Sequence, residues 1–152
     1  MPHVLISKKK CTGCHMCELA CSAWHEGVYQ PSLARLNVIV NPTTGVIKGQ
    51  TCMQTACRKC ADACPHEAIF TKGGVLYVDE AKCNACADIA EGPQCVPVCP
   101  WDVMHIHPRS NKAFKCDLCD GDPRCVAFCQ NPYVLAVTVK ADKADKADEE
   151  PT

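Results

Sequence analysis

Aromatic side chains are scarce in this sequence, with 3 Phe, 3 Tyr and 2 Trp among 152 residues. A chain of this length ordinarily builds a respectable apolar core, and large rings dominate the energetics of such cores. Here that material is thin, and 11 Pro with 8 Gly interrupt regular structure. Something other than a conventional core is expected to hold the chain, which points to metals or disulfides. Long hydrophobic runs are missing as well. No stretch approaches the roughly 20 apolar residues that cross a bilayer, so no direct membrane insertion is expected. Neither sign of charge dominates: 16 Lys and Arg stand against 17 Asp and Glu, a formal net charge of −1. Without a basic surface, nucleic acid is not an expected partner. In Met1–Lys10 the lysines follow the short apolar run Val4–Ile6 instead of preceding it, the reverse of a secretory leader, so a cytoplasmic location is expected. No G-x-G-x-x-G nucleotide loop is present, and no cysteine is left over to act as a nucleophile, so no catalytic site of its own is expected.

What the chain has in abundance is cysteine. Its 16 cysteines form four groups of four: Cys11, Cys14, Cys17, Cys21; Cys52, Cys57, Cys60, Cys64; Cys83, Cys86, Cys95, Cys99; and Cys116, Cys119, Cys125, Cys129. Every group ends with one cysteine after three intervening residues, and proline follows Cys64 and Cys99. That ending is the spacing of bacterial ferredoxin runs, in which the last cysteine ligates the other cluster of a pair. Sixteen thiolates supply four [4Fe–4S] clusters with none unused. Such sites would leave the loaded chain more acidic than its formal charge. The expected role is an electron relay.

Two other readings use the same residues. A secreted disulfide scaffold needs an export context, which the N-terminus does not suggest. Structural zinc favours paired C-x₂₋₄-C knuckles, and Cys83/Cys86 and Cys116/Cys119 fit that description. The run Cys11-x₂-Cys14-x₂-Cys17-x₃-Cys21 fits the ferredoxin arrangement better.

Regular elements are short. Val4–Ile6 reads as a strand delivering the chain to the first cysteine loop, where Gly13 permits the turn. Glu18–Trp24 reads as a helix that places Cys21 one turn beyond Cys17. Residues 36–49 alternate as a hairpin around Asn41–Gly45. Cys64–Phe70 and Cys99–Met104 each read as a turn launching a strand. Lys72-Gly73-Gly74 is a hairpin turn leading into Val75–Val78, and Tyr133–Val139 is a closing strand. Residues 140–152 form a charged, low-complexity tail with no apolar stripe, expected to be disordered.

Spacing alone leaves the pairing of the groups open. Tandem modules join the first group to the second and the third to the fourth; nested modules join the first to the fourth and the second to the third. The four-group pattern, the hairpin between the first two groups and the stretch Lys115–Cys129 resemble the four-cluster ferredoxin-like subunits of molybdenum and tungsten oxidoreductases. That class includes the beta subunits of dimethyl-sulfoxide-reductase-type enzymes. In size the chain is similar to the small iron–sulfur subunit of bacterial tungsten-dependent aldehyde oxidoreductases. The resemblance covers residues 1–139.

The resemblance implies an α+β fold of two nested 2[4Fe–4S] ferredoxin-like modules, with short strands, hairpins and short helices. The outer module comprises residues 1–35 and 105–139, and the inner one residues 36–104 with the hairpin insertion. It implies one cluster on Cys11, Cys14, Cys17 and Cys129, and another on Cys116, Cys119, Cys125 and Cys21. The other two fall on Cys52, Cys57, Cys60 and Cys99, and on Cys83, Cys86, Cys95 and Cys64. It also implies the partners: a tungsten- or molybdenum-pterin catalytic subunit, with aldehyde oxidation the first choice, and a flavin, NAD-binding or ferredoxin acceptor. Docking faces are expected at opposite ends, and exposed ends also allow two copies to meet. The alternatives are a free-standing polyferredoxin shuttle and a structural zinc module.

Few other residues ask for a role. The six histidines read as ordinary, with His105 and His107 alternating on a strand and His15 beside the first ligands. Trp101 and Phe70, after remote cysteines, are expected to shield cluster edges. Lys8, Lys9 and Lys10 read as a solvated face.

Overall fold

The computed structural model describes residues 2–130 and the backbone of 137–140. Residues 131–136 and 141–152, which hold the start of the expected closing strand and nearly all of the charged tail, lie outside the described residues.

The elements are short. They run β1 (His3–Ile6), α1 (Met16–Glu26), β2 (Asn37–Val40), β3 (Ile47–Gln50), α2 (Lys59–Asp62), β4 (Ile69–Lys72), β5 (Val75–Val78), β6 (His105–Ile106), β7 (Ala113–Phe114), α3 (Arg124–Ala127) and β8 (Val137–Lys140). The strands form four antiparallel ribbons: β1 with β8, β2 with β3, β4 with β5, and β6 with β7. The architecture is a small α+β fold of ferredoxin-like type. An isolated two-stranded ribbon is marginal in water, so each must lean on something else.

Local chemistry fixes the turns. Gly73 and Gly74 both have positive φ, 59° and 81°, the type I′ geometry whose twist matches a tight hairpin. The β2–β3 turn is held by Asn41, whose Oδ1 accepts from the N–H groups of Thr43 and Thr44 at 2.9 and 3.1 Å. Helix α1 begins two residues earlier than its apolar pattern indicates and ends at Gly27. That glycine has φ 68° and donates its N–H to the Ala23 carbonyl, a left-handed helix stop. Between β6 and β7, His107 lies in the turn and not on the strand. Its N–H donates to the Lys112 carbonyl, and its Nδ1 accepts from the N–H groups of Arg109 and Ser110.

Two apolar clusters carry the packing, and both are built partly of cysteine. One gathers Val4, Ile6, Leu36, Val38 and Leu118 with Cys17, Cys21 and Cys125. The other gathers Ala68, Ile69, Leu76, Met104 and Ala113 with Cys60, Cys83 and Cys95. The β2–β3 hairpin belongs to the first. Glu18, buried in the first turn of α1, accepts the Val38 N–H at 2.6 Å and meets His15 at 2.6 Å. The C-terminal end of α1 is tied down by Glu26, which faces His107 at 3.0 Å and Arg35 at 4.0 Å. Arg124 of α3 lies 4.0 Å from the centre of the Trp24 ring on α1. Among the described residues no helix is long and apolar enough to cross a membrane.

Strand β3 passes so close to β1 that a Cβ at Gly49 would stand 2.4 Å from the Ile6 Cβ. The clash is with a side-chain root that cannot swing away, so overpacking of about 1–3 kcal/mol is expected. Gly49→Ala should therefore melt several degrees below the parent in a thermal scan followed by circular dichroism. An unchanged melting temperature would show that the approach of these strands is loose.

Candidate metal centres

The cysteines gather into four sets, each drawing one member from a distant segment. Cys52, Cys57, Cys60 and Cys99 line one cavity together with Met53, Trp101 and Lys115. Cys11, Cys14, Cys17 and Cys129 line a second, with Lys10 and His15 at its edge. Cys64, Cys83, Cys86 and Cys95 line a third. The fourth set is Cys21, Cys116, Cys119 and Cys125: the first three all stand near enough to Cys125 to oppose its ionisation.

The sets also lie near enough for their charges to interact, in an order that is not that of the sequence. Cys17 neighbours Cys125, Cys116 neighbours Cys52, and Cys95 neighbours Cys60. The sets containing Cys11, Cys116, Cys52 and Cys83 thus follow one another in a row. Cys14, at the Cys11 end, is the one exposed cysteine of the sixteen.

The loops that present these sulfurs share a backbone device. In every group the residue two positions after the first cysteine is left-handed: Gly13, Gln54, Ala85 and Leu118 have φ of 69°, 52°, 54° and 58°. Only glycine adopts this freely, and the other three carry a penalty of about 1–2 kcal/mol each. The turn aims backbone N–H groups at sulfur. Gly13 reaches Cys11 Sγ at 3.5 Å and Gln54 reaches Cys52 Sγ at 3.4 Å, and the Leu118 N–H favours the Cys116 thiolate. Further N–H groups serve Cys21 from Arg35, Cys64 from Ala68 and Cys83 from Ala113, at 3.3, 3.4 and 3.3 Å.

Burial works against the charged form of these thiols. It pushes Cys21 and Cys60 up to about 11 and Cys17, Cys95 and Cys116 up to about 12, with neighbouring cysteines adding repulsion. Cys125 is raised for the same reasons. A cation arriving among the sulfurs would supply the missing compensation and release protons.

The spread of the sulfurs bears on which metal fits. Tetrahedral zinc with Zn–S of about 2.3 Å sets its sulfurs about 3.8 Å apart. Among the described residues, the one group of three ligand atoms mutually within 4.8 Å is His25, Asp117 and Cys119, and no set of cysteines is that tight. The His25 group has a simpler account: Nε2 lies 3.3 Å from Asp117 Oδ1 and 3.6 Å from Cys119 Sγ, a hydrogen-bonding position beside a cysteine set. Burial, and then Arg35, hold the His25 pKa below its ordinary value.

Of the aromatic residues singled out in the sequence, Trp101 lines the Cys52 cavity while 43% exposed. Phe70 lines none of the three cysteine cavities and stacks on Tyr77, its cross-strand partner, at 5.9 Å. Lys8, Lys9 and Lys10 are exposed. Two buried polar residues had no signal in the sequence pattern. Gln54 is fully buried; its Nε2 donates to the Cys116 carbonyl at 2.9 Å and its Oε1 accepts the Leu76 N–H at 3.1 Å. Lys115, 3% exposed, sits against it.

No protein-family model matches the chain. It is 37% identical over 128 residues to the polyferredoxin-like subunit of an aliphatic sulfonate oxidoreductase from Pyrococcus furiosus, covering 83% of this chain and 70% of that one. It is 30% identical over 158 residues to the electron transport protein HydN of Escherichia coli, covering 88% and 86%. Among solved structures, a chain of the active-site complex BamBC of benzoyl coenzyme A reductase superposes with a TM-score of 0.51 at 25% identity, covering 99% of this chain and 82% of that one. A cysteine-based metal site in a ferredoxin-like fold, with this degree of likeness to electron-transport proteins, identifies the chain as a non-catalytic member of the ferredoxin-like iron–sulfur electron-transfer subunits that accompany oxidoreductases.

Proposed function

We propose that this chain is a four-cluster relay subunit whose partner is a tungsten- or molybdenum-pterin oxidoreductase, with an aldehyde the first-choice substrate of that partner. The acceptor is a flavin or ferredoxin subunit, and the complex is cytoplasmic. A [4Fe–4S] cluster supplies one-electron exchange when bound. The proposed ligand sets are Cys11, Cys14, Cys17 with Cys129; Cys116, Cys119, Cys125 with Cys21; Cys52, Cys57, Cys60 with Cys99; and Cys83, Cys86, Cys95 with Cys64. They make two nested modules, an outer one from both ends of the chain and an inner one from its middle.

The observation that supports this reading is the row of four cysteine sets, three of them lining a cavity of their own and each near enough to the next for their charges to interact. The cysteines hold the group by four thiolates, and the N–H groups aimed at Cys11, Cys52 and Cys64 stabilise the added negative charge. Trp101 and the buried Val103 and Met104 limit water at the Cys52 set. Lys10 and exposed Cys14 leave the first set open to a docking protein. The likeness to the Pyrococcus furiosus relative, a polyferredoxin-like subunit of an oxidoreductase, supports a catalytic partner over an independent shuttle.

Anaerobically purified protein should carry about 16 iron and about 16 acid-labile sulfide per chain, four of each for every cubane. Stoichiometric zinc in place of iron would overturn the assignment.

The pairing has its own test. Cys21→Ser should damage the cluster of Cys116, Cys119 and Cys125, and so depress the same electron paramagnetic resonance signal as Cys125→Ser. Sharing its altered signal with Cys57→Ser instead would establish tandem modules.

The partner is tested by affinity purification from the native host. A co-eluting subunit that contains pterin and tungsten or molybdenum, at fixed ratio to this chain, is expected. Isolation of a monomer that exchanges electrons at full rate with soluble enzymes would favour the free polyferredoxin shuttle.

A further inference from the structure

We propose that Lys115 sets the reduction potential of one of the two inner clusters of the row, raising it by holding a fixed ammonium charge in the wall formed by Cys52, Cys57, Cys60 and Cys99. The inference rests on reading that wall as a [4Fe–4S] site. It concerns a residue that is not a ligand and that spacing motifs do not reach.

Lys115 is 3% exposed, and its Nζ donates to the Leu76 carbonyl at 2.6 Å, the Cys116 carbonyl at 2.5 Å and Gln54 Oε1 at 3.2 Å. All three acceptors are neutral. Among the described residues no carboxylate pairs with it, whereas Arg35 has Asp117 at 2.8 Å and His107 has Glu26 at 3.0 Å. Burying an ammonium without a counter-charge is costly, and native structures keep such a group where negative charge is supplied nearby. Here that charge is the thiolate wall: Lys115 lines the same cavity as its four cysteines and favours the ionised forms of Cys52 and Cys60.

Placement makes the charge useful. Lys115 immediately precedes Cys116, and the Cys116 set borders the Cys52 set, so the ammonium stands at the middle junction of the row. Reduction adds one negative charge to a cluster whose ligands are already anionic. A cation fixed in a low-dielectric surround stabilises the reduced form more than the oxidised one, which raises the potential. Gln54 orients the amine through Oε1 while its own amide holds the Cys116 loop, so it acts as a positioning residue.

Lys115 could instead serve only as a hydrogen-bond hub between β5, the Gln54 turn and the Cys116 loop. The two roles separate in a redox titration followed by electron paramagnetic resonance, with iron counted in each sample. Lys115→Met removes the charge at similar length. Lys115→Gln removes the charge and keeps a hydrogen-bond donor. Both should retain iron, and one of the four midpoints should move to more negative potential in each. A shift in Lys115→Gln alone, if Lys115→Met fails to load, still carries the inference. Iron-loaded Lys115→Gln with all midpoints unchanged would overturn it, as would loss of iron from both variants, the mark of a purely structural role. Parent protein without iron would instead defeat the reading of the walls as cluster sites.

Discussion

Four sulfurs must meet at one place, and in every set one of them comes from far along the chain: Cys99 joins Cys52, Cys129 joins Cys11, Cys64 joins Cys83 and Cys21 joins Cys116. That convergence organises everything else. The ribbons are too short to stand by themselves, and the apolar clusters have cysteine among their most buried members. Helix α1 carries Cys17 and Cys21 on one face toward two neighbouring sets, and its other ties, from Glu18 to Val38 and from Glu26 to His107, hold the hairpin and the β6–β7 turn in place around them. The hydrophobic material in this chain serves mainly to press loops together.

The parts of the fold governed by local chemistry were readable in the sequence. The Gly73-Gly74 pair dictates a tight hairpin, Asn41 with Gly45 dictates a wider one, and both hairpins occur within a residue or so of their expected limits. Helix α1 runs longer than its pattern because Met16 and Cys17 continue its face, and Gly27 stops it beyond His25 and Glu26. His107 was misread for a reason that is equally local. Alternation with His105 suggests a strand, yet Pro108 follows it, and its ring does better capping the turn through Nδ1.

What spacing could not reveal was conformation and burial imposed from outside the segment. Of the four left-handed residues that stand two positions after a group's first cysteine, only Gly13 announces itself; Gln54, Ala85 and Leu118 are unpromising residues for positive φ. Their geometry follows from presenting sulfur and N–H to one point. Lys115 and Gln54 are polar, and a polar residue in a sequence reads as surface. Their burial depends on Leu76 and Cys116 arriving from either side, which no local pattern encodes. The distant cysteine of each set is likewise brought in by topology and not by spacing.

The first strand pairs with the last: His3 lies opposite Lys140 and Ile6 opposite Val137. Strand β1 leaves the ribosome and waits, unpaired, until more than a hundred residues have followed it. Its neighbour Cys11 likewise waits for Cys129. The growing chain therefore carries unpartnered thiols, and the first cysteine set is complete only after Cys129 has emerged. Whatever loads that set must meet the chain after that point, or shelter its thiols until then.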